Sequence, residues 1–239
     1  MDYLLFDNMT QCTAEEVERM TMLVSKQRRE QALRYKHIFG QFACLKSYCM
    51  LLELLRKHQL IGANECPDFV VNAYGKPRLA GANECPDFVV NAYGKPRLID
   101  ANGNSIEALT MANEASCLPG QAETQLDFSI SHCRKGILVA IDTQPIGVDI
   151  ESVRRVDEAL VQHTMNSREI EEIHASDNPD MAFTRLWTRK EAVLKQRGTG
   201  INCDLRNVLV TNPLPNLQTI VDTQKGYAYS LARKISPTH

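Results

Sequence analysis

Two carboxylates lie two residues apart in the segment IGVDIE (146–151), at Asp149 and Glu151. On a β-strand, residues i and i+2 point to the same face, so both carboxylates would lie side by side while Val148 and Ile150 face the core. Neighbouring carboxylates repel each other unless a proton, water or a cation intervenes. The pair therefore indicates either a solvated strand face or a cation site, and both interpretations remain open from the pair alone.

A second candidate lies in FTRLWTRKEAVLKQRG (183–198), whose apolar residues recur at helical spacing. Trp187, Glu191 and Lys195 follow one another at intervals of four residues, which places them on one helix face. Lys190 falls inside the apolar stripe, where a charge must extend to solvent or find an anionic partner. A surface Glu–Lys pair with an extended lysine explains this segment as well as a phosphate-binding site does.

A third candidate is the end of the strand-like run DFSISH, where Ser131 and His132 offer a hydroxyl and an imidazole. Adjacent strand residues face opposite ways and the chain contains no Gly-x-Ser-x-Gly, so a hydrolase triad is not predicted. Basic residues also cluster in 26–36, among them Arg28 and Arg34. Such a cluster is typical of a solvated helix face, or of a surface that binds phosphates or an acidic partner.

The elements that must hold these residues are a mixture of helices and strands. Thr13 and Ser25 precede segments of helical periodicity and predict two helices, the second running to about His58. A helix capped by Ser167 and a helix from about 181 to 197 follow further along the chain. The runs predicted as strands are DFSISH, GILVAID, IGVDIES, LRNVLVTN, LQTIVDT and YAYSLARKI. This order predicts an α+β fold.

Residues 62–79, GANECPDFVVNAYGKPRL, are repeated without change at 81–98. Solenoids need about three or more repeats, usually diverged, so two identical copies indicate a tandem duplication instead. Each copy predicts a short strand ended by a Gly-Lys-Pro turn. The polar segment 99–126 predicts an inserted flap or a partly helical segment, because a loop of that length is unusual inside a compact domain.

The composition of the 239 residues excludes several classes of protein. A hydrophobic share of 44% and a charged share of 23% are close to the average for globular chains, which excludes disordered and fibrous classes. A net charge of −2 argues against a general electrostatic grip on nucleic acid. No uninterrupted apolar run approaches the ~20 residues of a bilayer span, and no signal peptide is visible. Together with the absence of Cys-x-x-Cys pairs, this predicts a cytoplasmic protein with reduced thiols.

The segments IGVDIE (146–151) and WTRKEAVLK (187–195) together resemble the motif pair of the 4′-phosphopantetheinyl transferase superfamily, particularly its larger, pseudo-dimeric branch. FSISH, the turn YGKP at 74–77 and 93–96, and the stretch SKQRREQALRYKH resemble further motifs of that family. The resemblance covers the chain from about Thr13 to Ile201.

The resemblance implies a monomer whose two similar α/β lobes, residues 1–142 and 143–239, are related by a pseudo-twofold axis, with coenzyme A in the cleft. It implies an enzyme that moves phosphopantetheine from coenzyme A to a serine of an apo carrier protein, with Mg²⁺, and releases 3′,5′-ADP. The carrier would dock near Arg154, Arg155 and Val156. Fatty-acid, polyketide and peptide carriers all remain open.

The resemblance also assigns roles to individual residues. The Mg²⁺ site and catalysis fall to Asp149, Glu151 and Glu191, with Lys195 reaching the phosphates. Further contacts with the coenzyme fall to Arg28, Arg34, Lys95, Pro96, Ser131, His132 and Lys190. The base that deprotonates the carrier's serine is either Glu191 or a metal-bound water.

Two other kinds of function fit the same residues. The chain could be a non-catalytic protein that binds coenzyme A or a carrier, with its site disabled by the duplication. It could also be another Mg²⁺-dependent phosphotransferase or a nucleotide hydrolase. Transfer to an apo carrier, measured by intact mass, separates these alternatives.

Overall fold

The computed structural model describes residues 1–63, 68–71, 77–80, 87–90, 96–99, 126–198 and 204–234. Helices and strands are mixed along this part of the chain, which confirms the predicted α+β class. The strands form two three-stranded sheets and two two-stranded sheets.

The N-terminal elements are β1 (Asp2–Phe6), α1 (Ala14–Thr21), α2 (Lys26–Leu33) and α3 (Ile38–Lys57). Thr13 and Ser25 cap α1 and α2 as predicted, each side chain accepting a hydrogen bond from the backbone N–H three residues later. The single helix predicted from Ser25 to about His58 is wrong, because the chain leaves the helix after Leu33. Tyr35 then folds over Gly40, where a Cβ would lie 2.8 Å from the tyrosine ring.

Helix α3 is the core element of this region. Its apolar positions Phe42, Leu45, Tyr48, Leu51 and Leu55 are at most 2% exposed. Within the described residues, α3 is the one helix long and apolar enough to cross a membrane, a correction to the expectation drawn from uninterrupted runs. Because 61% of its apolar window is buried inside the protein, as in a core helix, this is weak evidence for a membrane span.

The two copies of the repeat form matching hairpins. Strand β2 (Asp68–Val71) pairs antiparallel with β3 (Pro77–Ala80), and β4 (Asp87–Val90) pairs in the same way with β5 (Pro96–Ile99). The predicted strand is therefore confirmed in each copy, and its partner strand begins at the proline of the Gly-Lys-Pro sequence. The other residues of the predicted turns lie outside the described residues. Segment 99–126, for which a flap or a partly helical segment was predicted, falls outside the described residues apart from Ile99 and Leu126.

Three strands follow as predicted: β6 (Asp127–Cys133), β7 (Gly136–Asp142) and β8 (Ile146–Ser152). The helices after them are α4 (Glu158–Thr164), α5 (Ser167–His174) and α6 (Pro179–Arg197). The predicted cap of α5 at Ser167 is wrong by one residue, because the Asn166 side chain accepts from the Glu169 N–H and makes Asn166 the N-cap. Helix α6 ends at Gly198 in the left-handed conformation with φ 68°, as its position after the last helical residue predicts.

The last elements are β9 (Asn216–Asp222) and β10 (Tyr227–Arg233), both predicted. The strand predicted in LRNVLVTN is wrong, because Asp204 accepts a hydrogen bond from the Arg206 N–H and begins a 3₁₀ turn at Leu205–Asn207. One three-stranded sheet has the order β1-β7-β6, and the other has the order β8-β10-β9 with antiparallel pairing.

The chain divides into two compact units. One consists of residues 1–3, 12–128 and 141–144, and the other of residues 4–11, 129–140 and 145–239. The second unit contains β8, α6 and most of β6, which carry the acidic and basic candidates of the motif pair. The lobes 1–142 and 143–239, and their pseudo-twofold relation, stay predictions.

Candidate active site

Strand β8 presents its two carboxylates on one face. Val148 and Ile150 are fully buried on the other side of the strand, as the alternation predicts. Across the sheet, Asp149 pairs with Ser230 and Glu151 with Ala228 of β10. Because these cross-strand partners are small, they leave room beside the two carboxylates.

Helix α6 packs directly on this face of β8, and Gly147 is the residue that permits it. A Cβ at Gly147 would lie 2.0 Å from the Ala192 carbonyl oxygen and 2.2 Å from the Gln196 nitrogen, both on the helix backbone. A second contact fixes the helix one turn earlier, where the hydroxyls of Thr188 and Ser230 lie 2.9 Å apart. The glycine of the motif thus brings the KEAVLK segment of α6 against the DIE segment of β8.

The contact creates a pocket of about 400 Å³ whose lining comes from β6, β8 and α6. The lining residues are Ile130, Ser131, His132, Asp149, Glu151, Trp187, Glu191 and Lys195. The structure therefore brings together all three acidic candidates, the lysine one helical turn after Glu191, and both candidates at the end of β6. Trp187, Glu191 and Lys195 share this pocket, as their four-residue spacing predicts.

Asp149 is the centre of the polar contacts in the pocket. The Lys195 Nζ donates to its Oδ1 at 2.6 Å, and the Ser131 Oγ donates to the same oxygen at 2.8 Å. The other oxygen, Oδ2, and the Oε1 of Glu191 are both buried and have no hydrogen-bond partner within the described residues. Two buried carboxylate oxygens without donors are costly unless a proton or a cation reaches them.

The electrostatics of the pocket are set by an excess of negative charge. Burial raises the pKa of the Glu151 carboxyl, and the charge of Asp149 adds to this effect. Burial and Asp149 raise the pKa of Glu191 in the same way. At His132, desolvation by the surrounding protein and the nearby Lys195 ammonium lower the pKa, so the imidazole is neutral at pH 7.

These oxygens fit a hard divalent cation such as Mg²⁺, because Mg²⁺ prefers carboxylate and water oxygens and needs only one or two carboxylates from the protein. Among the described residues, no three His, Cys, Asp or Glu side chains already form a metal-binding cluster. The fit therefore rests on Asp149 Oδ2 and Glu191 Oε1, which lack donors and lie in the same pocket as Glu151.

Lys190 does not belong to this pocket, which corrects its predicted role as a phosphate contact. Its side chain is 0% exposed, and its Nζ donates to the Glu169 Oε2 at 2.7 Å and to the Leu205 carbonyl at 2.8 Å. An enclosed ammonium with two acceptors is not available to a ligand in the pocket. The expectation that a charge in the apolar stripe needs an anionic partner is confirmed, with Glu169 as that partner.

Four further residues to which the resemblance assigns coenzyme contacts belong to the other unit. Arg28 is buried, and its guanidinium donates to the Cys44 carbonyl at 2.7 Å and lies over the Tyr48 ring. Arg34 is exposed at the C-terminal end of α2. Lys95 lies outside the described residues, and Pro96 begins β5. The coenzyme contacts assigned to all four stay predictions.

Part of the second unit matches a known protein family. Residues 145–235, which carry β8 and α6, match the sequence model of the 4′-phosphopantetheinyl transferase superfamily. We call these matched residues the superfamily segment. This superfamily segment includes both parts of the motif pair and their three acidic residues.

Individual relatives agree with this classification. The chain is 31% identical over 91 residues to the 4′-phosphopantetheinyl transferase Sfp of Bacillus subtilis, covering 37% of this chain and 40% of Sfp. It is 38% identical over 82 residues to the 4′-phosphopantetheinyl transferase AcpT of Escherichia coli O157:H7, covering 32% of this chain and 42% of AcpT. The chain thus matches about two fifths of the length of these relatives.

Among solved structures, the holo-[acyl-carrier-protein] synthase of Thermotoga maritima aligns with 38% of this chain and 64% of its own. The sequence identity is 19% and the TM-score is 0.31.

Sequence reasoning missed two residues that hold the superfamily segment in place. The first is Glu169, the anionic partner of Lys190, which lies on helix α5. The sequence feature that could have identified it is the capping-box pattern that it forms with Asn166. Ser129 accepts a hydrogen bond from the Val148 N–H at 3.0 Å. The sequence feature that could have identified it is the pair of serines, Ser129 and Ser131, two residues apart in a largely apolar strand.

Proposed function

We propose that this chain is a Mg²⁺-dependent 4′-phosphopantetheinyl transferase that modifies a serine of an apo carrier protein. The observation that carries the proposal is the pocket on the superfamily segment. There, two carboxylates that each have a buried oxygen without a donor among the described residues line the same pocket as Lys195 and a third carboxylate, Glu151. This combination suits a cation and a phosphorylated substrate together.

Asp149, Glu151 and Glu191 are the residues that would hold the cation. Bound there, Mg²⁺ supplies neutralisation of the charge that develops on the pyrophosphate of coenzyme A. A cation there would offset the desolvation and the charge repulsion that raise the pKa values of Glu151 and Glu191, which supports the assignment.

Lys195 and His132 are the residues of this pocket that would bind phosphate oxygens. Lys195 is 31% exposed, so its ammonium can contact both Asp149 and a ligand in the pocket. His132 is neutral at pH 7 and offers one N–H donor. The nucleophile is the carrier's serine, and Glu191 is a candidate to accept its proton because its Oε1 has no donor among the described residues.

The carrier protein would dock next to this pocket. Arg154 and Val156 line a neighbouring, more apolar pocket together with Leu160, Phe183 and Trp187, and Glu151 and Trp187 border both pockets. Arg154 and Arg155 are exposed. Exposed arginines beside an apolar surface favour an acidic helix as the partner.

The test is incubation of the protein with coenzyme A, Mg²⁺ and several apo carriers, followed by intact mass of each carrier. We expect a phosphopantetheine adduct on at least one carrier and none when Mg²⁺ is chelated. Glu191→Gln removes a carboxylate from the pocket, and we expect transfer to fall by about 10²-fold or more. Glu171→Gln is the matched control, because Glu171 is an exposed carboxylate on α5.

Three results would contradict the proposal. Absence of an adduct on every carrier excludes transfer, and coenzyme A binding in that case favours the non-catalytic alternative. Hydrolysis of nucleotides without transfer favours another phosphotransferase. An adduct that forms equally well with Glu191→Gln removes the pocket from the reaction.

A further inference from the structure

Strand β6 meets strand β8 through side chains instead of a backbone ladder. Strand β8 is the edge strand of its sheet, so the N–H groups on its outer side have no neighbouring strand in that sheet. The Ser129 Oγ accepts from the Val148 N–H at 3.0 Å, and the Ser131 Oγ accepts from the Ile150 N–H at 3.2 Å. Both serines are buried, at 4% and 8% exposed.

The two serine contacts fix the register of β6 against β8. Residues i and i+2 of a strand lie on one face, so Ser129 and Ser131 form a pair of acceptors spaced like the alternate N–H groups of β8. We call this contact between β6 and β8 the seam. A slip by one residue would remove both hydroxyls from the seam and leave two buried N–H groups unpaired.

The two serines differ in one respect. Ser131 also donates its hydroxyl proton to the Asp149 Oδ1 at 2.8 Å, the same oxygen that receives Lys195. A hydroxyl has one proton, so this donation is the single hydrogen bond that Ser131 can give. With Oδ1 held by two donors, Oδ2 is the oxygen left without a partner among the described residues.

We propose that Ser131 is a positioning residue whose hydrogen bond orients the Asp149 carboxylate so that its Oδ2 is presented to the cation. The inference rests on the proposed function in taking Asp149 as a cation ligand. It gives Ser131 a different role from the phosphate contact that the resemblance implies, because the hydroxyl proton is already committed to Asp149.

The chain offers a matched pair of variants to test this. Ser131→Ala and Ser129→Ala each remove one acceptor from the seam, but only Ser131→Ala removes the hydrogen bond to Asp149. The readout is Mn²⁺ affinity, measured by electron paramagnetic resonance with coenzyme A present and no carrier, so that no turnover is needed. Residues that hydrogen-bond a metal-binding carboxylate typically contribute 10–100-fold to metal affinity.

We expect Ser131→Ala to weaken Mn²⁺ binding about 10-fold or more, and Ser129→Ala to change it less than about 3-fold. Ser131→Thr keeps the hydroxyl and should restore most of the affinity. Ser131→Cys keeps the volume of the seam but donates weakly, so it should match the alanine variant and serves if Ser131→Ala does not fold.

Equal effects of Ser131→Ala and Ser129→Ala would overturn the inference, since the seam alone would then account for them. Unchanged affinity in Ser131→Ala and Ser131→Cys would also overturn it. Asp149→Asn distinguishes a failure of the proposed cation site from a failure of the role of Ser131. If Asp149→Asn abolishes Mn²⁺ binding while the Ser131 variants do not change it, the proposed cation site stands and only the role of Ser131 fails. If Asp149→Asn leaves binding unchanged, Asp149 is not a ligand and both fail.

Discussion

Two lysines of helix α6 each pair with a carboxylate of another element, and the two pairs differ in their exposure to solvent. Lys195 bonds Asp149 at the pocket and is 31% exposed, whereas Lys190 bonds Glu169 away from the pocket and is 0% exposed. Asp149 keeps one oxygen without a donor among the described residues. Glu169 likewise receives two donors on one oxygen, Oε2, from Lys190 and from the Asn166 N–H, so the two pairs differ in burial and not in the number of donors.

The difference shows how one helix can be held in place by one lysine and present another lysine to the pocket. The Lys190 pair ties α6 to α5 and to the turn at Leu205, so it limits the rotation of the helix about its axis. Its neighbour in sequence, Glu191, is then held toward the pocket. The Lys195 pair is accessible, so its charges remain available to a ligand. A fully buried pair supports structure, and a partly exposed pair supports binding.

Breaking the buried pair should have the largest effect on stability. Lys190→Met leaves the Glu169 carboxylate buried without its counter-charge, and loss of one partner of such a pair typically costs about 3–5 kcal/mol. We expect the free energy of unfolding in urea to fall by that amount.

The control for this prediction is the double variant Lys190→Met/Glu169→Leu. Replacing both charges by apolar groups removes the unpaired ion, so the double variant should recover most of the lost stability. If Lys190→Met alone unfolds at the wild-type urea midpoint, the buried pair does not anchor α6.

Breaking the accessible pair should affect transfer more than stability. Lys195→Met removes a donor to the phosphates under the proposed function, and loss of such a group typically lowers the rate about 10²-fold. Because the pair is partly exposed, we expect the free energy of unfolding to change by about 1 kcal/mol or less. The paired measurement is carrier modification by intact mass and urea unfolding of the same preparation. A larger loss of stability than in Lys190→Met would reverse the comparison.

A third pair extends the comparison to the surface and predicts the smallest effect. Lys225 donates to the Asp7 Oδ2 at 2.7 Å and is 53% exposed, and Tyr227 donates to the same oxygen. The hydrogen bond from Lys225, together with that from Tyr227, lowers the pKa of Asp7. A lowered folded-state pKa gives stability that is present above the unfolded value of about 3.9 and is lost as the pH falls through the folded value.

Asp7→Asn should therefore lower the urea midpoint slightly at pH 7, and the difference from wild type should shrink as the pH falls below the unfolded pKa of about 3.9 and through the lower folded-state pKa. Urea unfolding of both proteins across this pH range is the measurement. A difference that persists or grows at low pH would show that the carboxylate charge is not the cause.

Local patterns predicted several boundaries of the described helices and the alternation of strand β8. Thr13, Ser25 and Gly198 mark helix boundaries through hydrogen bonds or backbone conformation within a few residues, so short segments contain the necessary information. The alternation of Val148, Asp149, Ile150 and Glu151 predicted which side chains share the pocket. The predicted strand in LRNVLVTN failed because Asp204 offers the backbone a competing turn.

The partners of two residues were not predictable in the same way. The sequence showed that Lys190 needs an anion but not that Glu169, 21 residues earlier, supplies it. It showed Ser131 near a strand end but not the contact with Asp149, 18 residues later. Such pairs depend on how α5 meets α6 and how β6 meets β8, which no local pattern specifies.

Strand and helix periods alone predicted which side chains lie on one face: a pair of carboxylates at strand spacing, and a Trp–Glu–Lys series at helical spacing. Those periods are fixed by backbone geometry and need no tertiary contact. The surroundings of each charge depend instead on how the elements pack. The close packing of α6 on Gly147 joins the two motifs in one pocket, and the rotation of α6 sends Lys195 into that pocket and Lys190 away from it. Burial then makes one pair a structural anchor and leaves the other free to bind, because the cost of an unpaired charge depends on its access to water.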